Sequence, residues 1–226
     1  LRVRRAMSKA INRQAITERV MEGLALPAGN VLSASVIGHD PAVKPEPYDP
    51  GGAKKLLAEA GYPDGFAVTI ATPNNRYIND EQVAQTVAQM FARVGIAAKV
   101  EAIPLSVYLG KARNKEFGVA LLGWGSRAAD HALRSLAATA DPDRGYGTWN
   151  WGGYSNPRLD ELVTQSLGTV DPARREALAR SASAFAAREV AFIPLHYQVV
   201  TWAMKSNLSY AARTDEFTFA HHFRPR

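Results

Sequence analysis

Cysteine is absent from the 226 residues. That excludes disulfide scaffolds, thiolate zinc sites, iron–sulfur clusters and cysteine nucleophiles. No apolar run approaches the ~18 residues that a helix needs to cross a bilayer. Internal repeats and low-complexity tracts are missing as well. The common catalytic signatures are also lacking. No Gly-x-Ser-x-Gly elbow presents a nucleophile, and no two histidines stand four apart with a glutamate between them. Gly51-Gly52 lacks the Lys-Ser/Thr that completes a phosphate loop. Asp141-Pro142-Asp143 lacks the glycine and distal glutamate of a calcium loop and reads as a turn. Of the five histidines, His221 and His222 lie in a tail, and His196 beside Pro194 and Leu195 reads as a packed side chain. No catalytic residue, metal site or cofactor is expected, and the chain reads as a non-enzyme.

What remains is a globular composition, with 46% hydrophobic and 21% charged residues. A chain of this length buries roughly 70% of its unfolded surface. The net charge is +6. Its densest cluster, Arg2, Arg4, Arg5 and Lys9, sits on the polar side of a helical stripe formed by Val3, Ala6, Met7, Ala10 and Ile11. The cluster reads as a solvated face. No recognition helix, zinc-finger spacing or aromatic RNA-binding strand accompanies it, so nucleic acid is not an expected partner. The stripe begins at Leu1 without a cap, which predicts a fragment of a longer chain.

Punctuation predicts the elements. Asp49-Pro50, Asn156-Pro157 and Asp171-Pro172 each read as an N-cap followed by proline at the first helical position. They predict helices over 53–60, 158–167 and 173–188. Asn79 with Gln82 resembles a capping box that opens a helix to Val94, stopped by Gly95. Phe66–Ala71, Ile96–Ile103 and Phe117–Leu122 read as strands, the last apolar enough to be buried on both faces. Alternating strands and helices argue for an α/β fold: a mixed, mostly parallel sheet flanked by helices, with those near 79–94 and 173–188 packed on it. Phe192–Leu195 and Val199–Met204 read as further strands, and Asn207–Arg226 as extended and irregular.

Two loops follow strands at the sheet's carboxyl edge, where open α/β sheets bind ligands. The first, Thr72–Asp80, concentrates Asn74, Arg76 and Tyr77. Capping explains Asn79 and Asp80, but Arg76 and Tyr77 less well. The second, Gly123–Ser155, holds Trp124, Trp149 and Trp151 among six glycines. Aromatics on such a loop give contact area at small entropic cost, and irregular loops this long usually carry function. Each tryptophan reads equally as a ligand contact or a plug for the domain's own core. The segment as a whole favours a ligand.

Several motifs then form a series. Val3-Arg4-Arg5-Ala6 through Ala10-Ile11-Asn12-Arg13-Gln14-Ala15-Ile16, then Tyr48-Asp49-Pro50 with Ala53–Tyr62, then Gly123-Trp124 with Tyr154-Ser155-Asn156-Pro157 and Asp160, and finally Ile193-Pro194-Leu195, resemble the bacterial extracellular solute-binding proteins, family 5. The resemblance runs the whole length in the right order. It implies a periplasmic-binding-protein-like lobe. Residues 1–200 would be the C-terminal ligand-binding lobe of a two-lobed receptor, and 201–226 a tail returning to the missing N-terminal lobe. It further implies the substrate-binding component of an ABC importer, at the periplasm or outer envelope, with a membrane permease as partner and a peptide or related small solute as ligand. A hydrolase or transferase on the same fold, or an interaction module, are the alternatives.

The expected ligand-binding residues are Asn74, Arg76, Tyr77, Trp124, Arg127, Asp130, Trp149 and Trp151. Peptide-binding relatives commonly place an amine-pairing aspartate where this chain has Arg127. Asp130, three residues on, is the alternative carboxylate. Arg127 reads either as a ligand contact or as a group facing solvent or paired with Asp130.

Overall fold

The computed structural model describes residues 1–213 and 217–226. It opens with α1 (Arg2–Ala10), the short α2 (Arg13–Ala15), a π-turn over Ile16–Val20 and β1 (Ala25–Pro27). A long irregular segment leads to α3 (Pro50–Glu59), β2 (Phe66–Pro73), α4 (Asp80–Ala92), β3 (Ile96–Ile103), α5 (Leu105–Arg113) and β4 (Val119–Ala120). Then follow α6 (Ala129–Leu136), α7 (Pro157–Leu167), α8 (Pro172–Arg188), β5 (His196–Gln198), β6 (Leu208–Tyr210) and β7 (Phe223–Pro225).

The sheet has the order β3-β2-β4 and is wholly parallel, with Phe66 beside Ile96 and Ile70 beside Val119. The α/β reading holds, with the antiparallel pairs set apart as two small ribbons, β1–β5 and β6–β7. Helix α4 lays Val83, Val87, Met90 and Phe91 on the sheet, and α1 and α3 extend the same core through Ala6, Ala10, Ala53 and Leu57. Gly65 and Gly95 face each other at the amino ends of β2 and β3. A methyl on Gly65 would lie 1.8 Å from the Gly95 carbonyl oxygen, so no side chain fits there.

The proline-marked caps are as expected. Asp49 accepts from the Gly52 amide, Asn156 from Arg158 and Asp171 from Arg174. The capping box at Asn79 is not. Asn79 adopts a left-handed conformation (φ 54°) and its side-chain amide donates 2.7 Å to the Val20 carbonyl. Asp80 gathers the loop's amides instead.

Helix α8 does not pack on the sheet. Its inner face is Ala179, Ala182, Ser183 and Ala186; Ala182 and Ala186 pack with Leu133, Leu159, Leu162 and Val163 of α6 and α7, while Ala179 and Ser183 lie against Gly38. A second core results, built from these helices with Val31, Tyr146, Tyr154 and Phe192 of the loops packed against it. The third strand is also less buried than expected. It is an edge strand, with Val119 and Leu121 turned to the core and Ala120 exposed. The late strand falls on His196–Gln198, between the two expected runs, because it pairs there with β1. Ile193 and Leu195 pack on the first core. The expected irregular tail forms the β6–β7 ribbon, with the Tyr210 ring against Trp202 and Phe223. Residues 214–216 of that tail lie outside the described residues.

Arginines of the first helices join the two cores. Arg4 donates to the carbonyls of Val190 and Glu189, and Arg5 to that of Arg188. The basic face thus caps the carboxyl end of α8, where cations are favoured. Arg13 is buried (4% exposed) and donates to Pro194 O (2.7 Å), Ser8 O (3.1 Å), Glu46 O (3.2 Å) and Ser8 Oγ (2.8 Å). Burial draws its guanidinium down to about 10, against the opposing pull of Glu46. Arg13→Ala leaves these buried acceptors unsatisfied and is expected to cost about 3–5 kcal/mol. Urea denaturation measures this, and a loss below about 1 kcal/mol contradicts the assignment.

Candidate functional site

The site is built where β2 and β4 end. Beyond Pro73, the Asn74 amide donates to Ile103 O, while the Asn74 side chain is exposed. Asn75 Oδ1 accepts from the Leu105 amide at 3.0 Å, capping α5. One carboxylate then shapes the turn. Asp80, 5% exposed, accepts from the amides of Arg76 and Tyr77 (3.1 Å each) and of Glu81 (3.0 Å). This brings the Tyr77 ring against Gly123 on the other loop, with the hydroxyl 3.5 Å from the Gly123 carbonyl. The Arg76 guanidinium lies over the Tyr77 ring at 5.2 Å.

The tryptophan loop is held by α6. The amides of Gly147 and Trp149 donate to the carbonyls of Arg134 and Ser135. Gly147 is buried at φ 63°, and a methyl there would meet the Ala138 carbonyl at 2.6 Å. Asn150, 6% exposed, donates to Ala138 O (2.9 Å) and Tyr154 O (2.6 Å) and accepts from the Tyr154 amide (3.0 Å). That buried amide fixes its neighbours on both sides. Trp124, Trp149 and Trp151 form a continuous wall, with centroids 5.3 Å apart for the first pair and 5.0 Å for the second. Trp151 continues edge-on to Tyr108 (5.9 Å), which stacks on Phe117. Tyr108 is fully buried, and burial raises its phenol well above the usual tyrosine range; its hydroxyl donates to Leu121 O at 2.5 Å.

The structure therefore brings Arg76, Tyr77, Trp124, Trp149 and Trp151 together. The tryptophans are half-buried, so each both packs and presents a face. Asn74 stands exposed on the rim of the first loop. Arg127 is exposed three residues past Trp124, and among the described residues it makes no hydrogen bond or ion pair. Asp130 is different. It is fully buried in α6, bound by Arg175 Nε at 2.9 Å and Ser166 Oγ at 2.8 Å, and does not meet Arg127. Burial alone would raise its carboxyl, but Arg175, Ser166 and the His131 amide outweigh this and hold it below the usual carboxylate range. Asn150, Asp80 and Asn75 are the positioning residues that sequence reasoning missed. Only the crowding of glycine and tryptophan around Asn150 hinted at one of them.

A parallel sheet thus carries an aromatic wall at its carboxyl edge, where open α/β sheets bind ligands. Residues 1–147 match the family described as "Bacterial extracellular solute-binding proteins, family 5 Middle", and the chain belongs to that family. The glutathione-binding protein GsiB of Shigella flexneri is 35% identical over 92% of this chain and 41% of its own length. The GsiB of Escherichia coli K12 is similar to the same extent. The periplasmic binding protein DppA of Helicobacter pylori, solved with the peptide STSA, is 28% identical with a TM-score of 0.78, covering 86% of this chain and 38% of that one. HbpA2 of Haemophilus parasuis shares the fold at a TM-score of 0.86 and 21% identity, over all of this chain and 45% of its own. The chain spans about two fifths of the length of these relatives.

Two outcomes follow. The lowered Asp130 carboxyl adds stability above its ordinary value of 3.8 and loses it as the pH falls through the depressed one. Asp130→Asn is expected to cost about 2–3 kcal/mol at pH 7, because Arg175 stays partly solvated. The gap to wild type should close below about pH 4, and thermal melts across pH 2–7 check this. In Gly123→Ala the new methyl would meet the Tyr77 ring at 2.6 Å. Tyr77 is expected to swing away at a cost under about 1 kcal/mol. A crystal structure of the variant with Tyr77 unmoved contradicts the contact.

Proposed function

We propose that this chain is the ligand-binding lobe of the substrate-binding component of an ABC importer, capturing a peptide or related small solute. The observation that carries the reading is the wall of Trp124, Trp149 and Trp151 at the carboxyl edge of the sheet, with the Tyr77 ring against Gly123 beside it. Indoles give a large, rigid apolar surface, and half-buried ones need no reordering to meet a ligand. The names of the relatives, a glutathione-binding protein and a receptor holding a tetrapeptide, support a small peptide-like solute.

In this reading the rest of the parent protein supplies a second lobe, and residues 201–226 reach back to it. Contacts on both lobes stabilise the closed form, so ligand shifts the population toward closure. A permease in the membrane then takes the solute, and the protein works in the periplasm or at the outer face of the envelope. The contacts are Asn74, Arg76, Tyr77, Trp124, Arg127, Trp149 and Trp151. Asp130 is left out, since Arg175 and Ser166 occupy its oxygens. The groups gathered at the wall are indoles, a phenol, an amide and guanidiniums, which suits binding rather than turnover.

Mass spectrometry of the solute retained by the full-length protein identifies the ligand. Trp149→Ala is then expected to weaken its binding roughly 30-fold or more, the effect of removing a central aromatic anchor. Unchanged affinity removes the wall from the site. Retention of product rather than substrate would favour an enzyme.

A further inference from the structure

The polar groups around the wall are one-sided. Four cations lie on the segments that carry it or adjoin them. Arg76 lies over Tyr77, and Arg127 is exposed just beyond Trp124. Arg134 sits on the turn of α6 that holds the Gly147 amide. Lys115 lines a small hollow with Trp151 and Phe117. Among the described residues none of the four is ion-paired.

Three carboxylates of these segments are committed elsewhere. Asp80 holds three backbone amides, Asp130 pairs with Arg175, and Glu101 pairs with Lys111 at 2.7 Å. The buried polar atoms left without a protein partner here point the same way. They are Trp124 Nε1, Trp151 Nε1 and Arg134 Nε, all of them donors. Indole and guanidinium nitrogens cannot accept. A ligand that complements these groups brings acceptors and negative charge, whereas an ammonium would meet like charge.

We infer that the ligand carries a carboxylate that Arg127 binds beside Trp124, with no free amine at that end. Arg127 is the anchor because, of the four, it alone is exposed and neither lies over a ring nor lines the hollow. A guanidinium takes a carboxylate through two parallel hydrogen bonds, a planar geometry that also fits an adjoining indole face. The inference rests on the receptor reading above and specifies its ligand class.

The test uses full-length protein, as wild type, Arg127→Gln and Arg127→Lys. Each is titrated by calorimetry with N-acetyl-trialanine, which has a carboxylate and no amine, with trialanine amide, which has an amine and no carboxylate, and with glutathione. The acid is expected to bind wild type roughly 10- to 100-fold more tightly than the amide. Arg127→Gln should erase most of that preference and Arg127→Lys retain part of it, with all three proteins melting together, since among the described residues the Arg127 side chain makes no hydrogen bond or ion pair. Equal binding of acid and amide, or tighter binding of the amide, overturns the inference and leaves the receptor reading intact. So does an acid preference that survives in Arg127→Gln. Absence of binding to all three probes, with no solute retained through purification, overturns both.

Discussion

A single buried guanidinium sets the frame. Arg13 gathers carbonyl oxygens from the end of α1, from the irregular segment at Glu46 and from the returning chain at Pro194. These strands of chain are far apart in sequence and none pairs with another in a ladder. Their mutual position depends on a cation that no bulk water solvates, held only because its donors are taken up by protein oxygen. Arg4 and Arg5 repeat the device on the carboxyl end of α8. Helix α1 is in this sense a peg, apolar toward the sheet and cationic toward the carbonyls of the second core.

With that frame fixed, the site can be built from loops without being loose. Asp80 and Asn150 each spend one side chain on several backbone groups: Asp80 holds the amides of Arg76 and Tyr77, and Asn150 sits between Trp149 and Trp151. Loops carry the chemistry, while buried polar groups set their shape. The tryptophan wall is continuous with the fully buried Tyr108 and, through it, with the partly buried Phe117, so the wall is anchored in the core at its Trp151 end. Each tryptophan is half-buried, so packing inward still leaves part of its ring exposed.

Local features were legible in the sequence. Caps at Asp49, Asn156 and Asp171 act within three residues, and strand–helix alternation between 66 and 113 follows from periodicity. What escaped was set by partners distant in the chain. Asp130 finds Arg175 45 residues away, and Asn79 turns from a capping role to the Val20 carbonyl. The alanine face of α8 carries no mark of whether a sheet or a helix will cover it. Its short side chains suit close helix packing, and α6 and α7 supply the leucines. The late strand moved onto His196–Gln198 because β1 fixes the register from the far end of the chain.

That last pairing bears on how the chain folds. The strands β2 and β3 meet across a crossover of ordinary length, so their sheet forms from contacts close in sequence. Ribbon β1–β5 joins Ala25 to Gln198 and closes a loop of about 170 residues. Loop entropy makes such a closure unfavourable until the intervening elements have already collapsed. The ribbon is therefore the last piece to lock and the first to open. Hydrogen exchange would find its amides the least protected of the ladder, and a protease would find the chain there before anywhere in the sheet.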